Sequence, residues 1–294
     1  MMKNFFQLVF ALALLGLTGC ATDPVTGGRA YNYYTLDDDI KLGTQAMGQN
    51  VAEMKKRHCP INADPVRVAQ LNTIIHRIGA VTHLPNMPYT VTLFHTSTVN
   101  AAAFPGGPMM VFEGLYDPKK GLVRDEDEMA AVMAHELAHV NCRHTTKRLS
   151  VVTPFVLAAE VGAAVLESQD QQEWAQVLAV GFAVTGALAL PAYSRKDEAQ
   201  ADAVGLTYMA KAGYDPRAAP RIWQRAMQQG QKGGAVTGSG FNMFADHPSD
   251  KARYEALEKL LPAAMAEYAK VHGGYPPDYT PPPGAPAPMT FPKD

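Results

Sequence analysis

Apolar side chains recur at the spacing of amphipathic helices along much of the chain. Thr35 precedes three acidic residues and Asp64 precedes Pro65, and both arrangements are typical of the first turn of a helix. The first of these helices is predicted to run to about residue 57. The same signals predict further helices over about residues 125–150, from the Ser194 cap to about residue 212, from Pro216 to Trp223, and after the Ser249 cap.

Two short stretches follow the alternating pattern of strands instead. Residues 89–94 alternate and are rich in strand-forming residues, and residues 109–112 form a second short candidate. Residues 100–107 between them are small and turn-prone. The predicted fold class is therefore mainly α with a small β-sheet, an α+β arrangement.

The N-terminus has the features of an export signal. Lys3 precedes an apolar stretch over residues 5–17 that is too short to cross a bilayer comfortably. The sequence Leu17-Thr18-Gly19-Cys20 resembles the lipobox of bacterial lipoproteins, which implies that Cys20 is acylated and becomes the first residue. Ala21 stands where Asp would signal inner-membrane retention, and this favours the outer membrane.

Two apolar segments, residues 151–166 and 174–190, approach the length of a membrane span. The second carries no charge but is shorter than the about 20 residues that a span needs, and the acidic linker between them is unlike a cytoplasmic hairpin tip. A helical hairpin that packs in the protein or faces the membrane is favoured over a true span.

These patterns divide the chain into four parts. They are a signal peptide (1–19), a lipidated linker (20–34), one folded domain (35–272) with a Gly-rich loop (230–240), and a Pro-rich extended tail (273–294).

Composition narrows the class of protein. Charged residues make up 18% and hydrophobic residues 47% of the chain, so a disordered protein is excluded. The net charge of −2 argues against nucleic acid as a partner, because phosphate binding needs a basic surface. Three cysteines exclude a disulfide framework but leave open a single bond between Cys59 and Cys142 in an oxidising compartment.

The sequence His135-Glu136-Leu137-Ala138-His139 carries the strongest chemical signal. Residues four apart on a helix point to the same side, so the two histidines can hold one metal ion. Glu136 lies one position along, where it can take a proton from water without being a ligand. The helix around them is slim and apolar, so its polar groups would be costly without partners. His144, about 140° round the helix from His139, is a poor ligand.

A second pair of residues four apart supplies a third ligand. Glu198 and Asp202 share one face of the helix that starts at Ser194. Glu198 can complete a His-His-Glu zinc site of the thermolysin type, and Asp202 can accept the second ring N–H of a ligand histidine. A solvated acidic face is the alternative, but the small residues over positions 199–205 favour close packing.

These motifs occur together with two others in the order of a known family. The others are residues 100–107, which end in Pro-Gly-Gly, and His247-Pro248-Ser249 followed by Arg253. Over about residues 35–265 the sequence resembles the zinc metallopeptidases that include HtpX, BepA, the CAAX prenyl endopeptidases and the mitochondrial Oma-type proteases. The resemblance implies a gluzincin-like domain with one Zn²⁺ held by His135, His139 and Glu198, with Glu136 as the base and Asp202 behind a ligand.

The resemblance also implies where a substrate binds. Residues 108–112 would form an edge strand to which an extended peptide adds, with Asn100, Gly107, Met109 and Met110 as contacts, although an ordinary core strand is the alternative.

The motif His247-Pro248-Ser249 follows a Gly-rich loop, and this loop is expected to bring it to the metal site. His247 would lie near the zinc, either as a donor to the oxyanion or as a latent fourth ligand, unless it only leads into the Ser249 cap. Arg253 would contact a substrate carbonyl or orient this loop.

Together these features favour a zinc endopeptidase that cleaves misfolded or unassembled envelope proteins and is anchored through Cys20 at the periplasmic face of the outer membrane. A chaperone-like assembly factor with little proteolysis is the alternative. The intact Glu136 weighs against it, because a pure binder needs no base. A structural zinc site is less favoured, since closed sites prefer four protein ligands rich in cysteine.

Overall fold

The computed structural model describes residues 19–154, 193–232 and 251–284. In chain order its strands are β1 (Cys20–Thr22), β2 (Arg29–Tyr31), β3 (Thr90–Phe94), β4 (Ala101–Ala103) and β5 (Pro108–Phe112). Its helices are α1 (Leu36–Lys56), α2 (Pro65–Gly79), α3 (Glu126–Asn141), α4 (Arg195–Lys211), α5 (Ala218–Lys232) and α6 (Lys251–His272). The predicted mainly α fold with a small sheet is confirmed.

The capping residues read from the sequence begin the helices as predicted. Thr35 accepts a hydrogen bond from the Asp38 N–H while the Asp38 carboxylate accepts one from the Thr35 N–H, and Ser194 forms the same reciprocal pair with Asp197. The Asp64 side chain accepts from two backbone N–H groups in the first turn of α2. Because these contacts are local, the starts of α1, α2 and α4 could be predicted to within a residue.

The long helix predicted over residues 125–150 is interrupted. It ends at Asn141, Arg143 adopts a left-handed conformation with φ of 54°, and residues 144–154 resume a helix in a new direction. The guanidinium of Arg143 explains the break, since it donates to the Asp39 carboxylate at 2.6 and 3.0 Å and to the Tyr34 and Thr35 carbonyls. This buried ion pair joins the end of α3 to α1.

The sheet corrects the predicted edge strand. Its order is β3-β5-β4, with β3 parallel and β4 antiparallel to β5. Residues 101–103, expected to be part of a turn, pair with β5 and leave it central, so β5 is not an edge. Met109 and Met110 have no exposed surface and pack in the core, as in the alternative weighed above. Among the strands described, β3 and β4 are the edges of this sheet.

The helix α3 lies at the centre of the fold. Every residue from Glu128 to Asn141 is buried, and α3 contacts α2, α4, α5 and β4. The closest approach is to α4 at Gly205, where an added Cβ would lie 2.9 Å from both the Cα and the backbone N of His135. Of the small residues noted on α4, Ala201 and Gly205 are buried, and the contact at Gly205 fits the predicted close packing, whereas Ala199 is exposed.

Residues 20–34 are folded, in contrast to the expected linker. β1 pairs with β2, so that Cys20 lies opposite Tyr31. The Asn32 amide donates to Thr146 and accepts from the Ser150 hydroxyl, both at 3.1 Å. These bonds fix the hairpin on the helical residues 144–154.

Several predictions fall partly or wholly outside the described residues, namely most of the two apolar segments, most of the Gly-rich loop, His247 and the Ser249 cap. Within the described residues, α5 runs beyond the predicted end at Trp223, and the tail contacts the body through an ion pair between Asp278 and Arg217 at 2.9 Å. Cys59 and Cys142 are both free thiols. None of the described helices combines the length and apolar character that crossing a bilayer requires.

Candidate metal centre

His135 and His139 direct one ring nitrogen each to the same point. Their Nε2 atoms lie 3.1 Å apart, and both side chains are almost fully buried. They come from successive turns of α3, as the spacing of four predicts.

Glu198 on α4 completes the cluster. Its Oε1 lies 3.5 Å from His139 Nε2 and its Oε2 lies 3.5 Å from His135 Nε2. Ligands about 2.0–2.1 Å from one zinc ion in tetrahedral geometry lie roughly 3.4 Å from one another, so these separations fit the ion. Among the residues described, these three form the group of potential metal ligands, with their donor atoms all within 4.8 Å of one another.

Glu136 lies beside this cluster, against the sheet. It is 2% exposed, and its Oε2 accepts a hydrogen bond of 3.1 Å from the Ala103 N–H of the edge strand β4. The carboxylate is thus held between the metal ligands of its own helix and the strand on which a peptide could pair. A base in this position could reach both a water molecule and a bound peptide.

Asp202 lies behind His135, as predicted from the spacing. Its Oδ1 is 3.0 Å from His135 Nδ1, the ring nitrogen that faces away from the cluster. Burial would lower the pKa of His135, but the carboxylates of Asp202 and Glu198 outweigh it and raise this pKa to about 9. Burial would raise the pKa of Asp202, but His135 and Arg253 lower it overall. Asp202 therefore remains a carboxylate that can fix the tautomer of His135.

Arg253 lies against the two acidic residues of α4. Its Nη1 is 2.7 Å from Glu198 Oε2, and its Nε and Nη2 bond the Asp202 carboxylate at 2.8 and 2.7 Å. The guanidinium also stacks 3.9 Å from the ring centroid of Trp223. Arg253 thus anchors α6 to the candidate metal centre, a contact that neither predicted role had included.

Sequence reasoning missed a second set of contacts, behind His139. His144 Nδ1 lies 2.9 Å from His139 Nδ1, His144 Nε2 lies 3.1 Å from Gln200 Oε1, and the Tyr193 ring stacks 3.8 Å from the His139 ring. Burial lowers the pKa of His144. The angle of about 140° computed for a continuous helix did not apply, because the break at Arg143 returns His144 to His139. The only sign of this contact in the sequence was His144 itself, a histidine five residues after His139 to which no role had been assigned.

Of the five residues predicted to bind substrate, Arg253 alone is shown in contact with the cluster. Asn100 is buried and its side chain accepts from the Ala101 N–H at the start of β4. Gly107 has φ of 114° in the turn before β5, and Met109 and Met110 lie in the core. Cys20 is exposed in β1.

Comparison with known proteins connects this geometry to a family. The model of peptidase family M48 matches residues 65–261. The chain is 30% identical over 268 residues to a protein of Schizosaccharomyces pombe named mitochondrial metalloendopeptidase OMA1, which covers 89% of this chain and 74% of that protein.

Bacterial relatives are similar over a smaller part of their own length. A putative beta-barrel assembly-enhancing protease of Vibrio cholerae is 29% identical over 69% of this chain and 40% of its own. The beta-barrel assembly-enhancing protease of Escherichia coli K12 is 24% identical over 77% of this chain and 46% of its own. The chain therefore spans less than half the length of these two relatives.

Proposed function

Because the chain belongs to peptidase family M48 and is a metallopeptidase, we propose that it is a zinc-dependent endopeptidase with its metal at His135, His139 and Glu198. The observation that carries this proposal is the buried His-His-Glu cluster with an acid beside it. Two imidazoles and one carboxylate are the ligands of catalytic zinc sites that keep an open position.

Each side chain around the cluster has a separate role in the proposed hydrolysis. A zinc ion held by His135, His139 and Glu198 would act as a Lewis acid toward the scissile carbonyl and would make water easier to deprotonate. Glu136 takes the proton from the attacking water and then gives it to the departing amine. Asp202 holds His135 in the tautomer that ligates through Nε2. Arg253 offsets the negative charge that Glu198 and Asp202 bring into the buried site.

We place the substrate on β4, in revision of the prediction for β5. Strand β4 is an edge of the sheet, and its Ala103 N–H points to Glu136. An extended peptide that pairs with this edge would lie beside the base and the metal. Such pairing reads mainly the backbone, which suits unfolded substrates of varied sequence.

The cellular role is a further part of the proposal. The names of the bacterial relatives refer to beta-barrel assembly, and this supports misfolded or unassembled envelope proteins as substrates. The lipobox-like residues 17–20 support an acyl anchor on Cys20, with the protein at the periplasmic face of the outer membrane. A chaperone-like assembly factor remains the second candidate, because β4 could bind peptides without cleaving them.

The test is metal analysis of the purified chain together with digestion of unfolded casein, with and without a chelator. We expect about one zinc per chain and hydrolysis that the chelator abolishes. His139→Ala should lose the zinc, and His76→Ala on the exposed face of α2 should retain it. Full zinc content in His139→Ala would contradict the assignment of the ligands.

A further inference from the structure

We propose that His144 is a positioning residue that orients the metal ligand His139, through a hydrogen bond between their Nδ1 atoms. The proposal rests on the proposed zinc site and extends it to a residue outside the ligand set. The distance between the two Nδ1 atoms is 2.9 Å, and both rings are buried.

The tautomers follow from the geometry. His139 Nε2 faces His135 and Glu198, so it must be unprotonated to bind a metal, and the proton of a neutral ring then lies on Nδ1. That N–H points to His144 Nδ1, which must act as the acceptor. His144 consequently carries its own proton on Nε2, where Gln200 Oε1 lies at 3.1 Å and Asp197 Oδ1 at 3.7 Å.

The backbone holds His144 in this place. Residues 142 and 143 separate it from the end of α3, and the left-handed φ of Arg143 turns the following helix back over His139. A left-handed conformation is unfavourable for a residue that carries a Cβ atom. Here the buried bonds from Arg143 to Asp39 stabilise it. The position of His144 is therefore fixed by long-range contacts and does not follow from helical geometry.

The two ligand histidines have different supports. His135 bonds a carboxylate, Asp202, whereas His139 bonds a neutral ring. An uncharged acceptor fixes the tautomer of His139 without adding another negative group to a site that already holds Glu136, Glu198 and Asp202. Loss of such a supporting acceptor typically weakens metal binding 10- to 100-fold.

The experiment measures zinc affinity by competition with a chromophoric chelator, for the wild type, His144→Leu and His144→Asn. The leucine fills the space without an acceptor, and we expect it to weaken zinc binding about 10- to 100-fold. The asparagine offers its carbonyl oxygen near the place of Nδ1, and we expect it to restore most of the affinity.

A variant at another position tests the proposal without any substitution of His144 itself. Gln200 is a half-buried residue of α4 whose side chain accepts from His144 Nε2–H. Gln200→Leu removes this acceptor, and we expect zinc affinity to fall several-fold. Equal affinity in wild type and His144→Leu, or equal losses in His144→Leu and His144→Asn, would overturn the proposal. Failure of the zinc site itself would look different, because the wild type would then bind no zinc.

Discussion

Four titratable side chains of α3 are buried in the middle of the protein, and each has a specific partner. Glu128 bonds Arg225, His135 bonds Asp202, Glu136 accepts from Ala103, and His139 contacts His144. A buried polar group without a partner costs several kcal/mol, so these pairs are what allow one apolar helix to carry a reactive site. The partners come from four different parts of the chain, namely α5, α4, β4 and the helical residues 144–154.

The role of Glu136 as a base can be separated from its role in the fold. Glu136→Gln keeps an oxygen that can accept from the Ala103 N–H, but an amide cannot take a proton from water. We expect normal zinc content and a loss of peptide hydrolysis of about 10²–10⁴-fold. The measurement is hydrolysis at equal zinc loading, with the exposed Glu53→Gln as the control.

If Glu136→Gln still supports the function of the protein in cells while hydrolysis is lost, the chaperone-like candidate is favoured. Undiminished hydrolysis by the zinc-loaded variant would remove Glu136 from the mechanism.

At the scale of elements, local signals predicted where helices begin, whereas features that depend on long-range contacts were not predicted. The caps at Thr35, Asp64 and Ser194 act within three residues, so the sequence around them contains the whole interaction. The break at Arg143 depends on Asp39, which lies 104 residues away. Likewise, residues 101–103 form a strand only because β5 lies beside them.

The packing of α4 on α3 gives a matched pair of glycine variants. Gly205→Ala would place a methyl group 2.9 Å from the His135 backbone, whereas nothing lies within 4 Å of a Cβ at Gly48 on α1. Both changes gain about 1 kcal/mol of helix propensity. We therefore expect Gly48→Ala to stabilise the protein, and Gly205→Ala to lower the free energy of unfolding by about 1–3 kcal/mol.

Denaturant unfolding measures both glycine variants, and chelator competition should show weaker zinc binding in Gly205→Ala alone. Similar stabilities for the two variants would mean that α4 can move away from α3 without cost.

The start of α3 makes the stability of the protein depend on pH. Burial would raise the pKa of Glu128, but the Arg225 guanidinium, the Arg124 N–H and Arg221 lower it below its ordinary value of 4.5. A carboxyl whose pKa is lower in the folded state stabilises the fold above its ordinary pKa. This contribution is lost as the pH falls through the folded pKa.

We expect Glu128→Gln to lose about 1.5–3 kcal/mol of unfolding free energy at pH 7. The difference from the wild type should shrink as the pH falls below about 4.5, and the exposed Glu53→Gln serves as the control. Urea unfolding at a series of pH values measures this, and a difference that does not change with pH would exclude Glu128 as the source.

At the scale of the whole molecule, the candidate metal centre is built from residues that lie far apart in the sequence. The sequence predicted the meeting of α3 and α4, because two pairs of residues four apart each define a helical face. It did not predict that Arg253 of α6 would contact Glu198 and Asp202, since no local pattern connects residues 51 positions apart. The proposed position of the substrate belongs to the same class, because it depends on the edge of a sheet whose order the sequence did not reveal.

The proposed anchor is tested on the mature protein. We expect mass spectrometry of the membrane-extracted chain to find an acylated Cys20 as the first residue. Cys20→Ser should abolish the modification and release the protein from membranes, and Cys59→Ser serves as the control. A retained Met1 or an unmodified Cys20 would contradict the proposal.

The folded hairpin of β1 and β2 limits how far the protein could move on such an anchor. A free segment of the length of residues 20–34 would have an end-to-end distance of roughly 20 Å, enough for the body to tumble above the bilayer. Here Cys20 is held in a strand, and Asn32 is bonded to Thr146 and Ser150, a few residues after His144. With acylation at Cys20, the hairpin would act as a short rigid mount that sets both the height and the tilt of the candidate metal centre. Substrates would then be selected partly by whether an unfolded stretch comes within that fixed distance of the lipid surface.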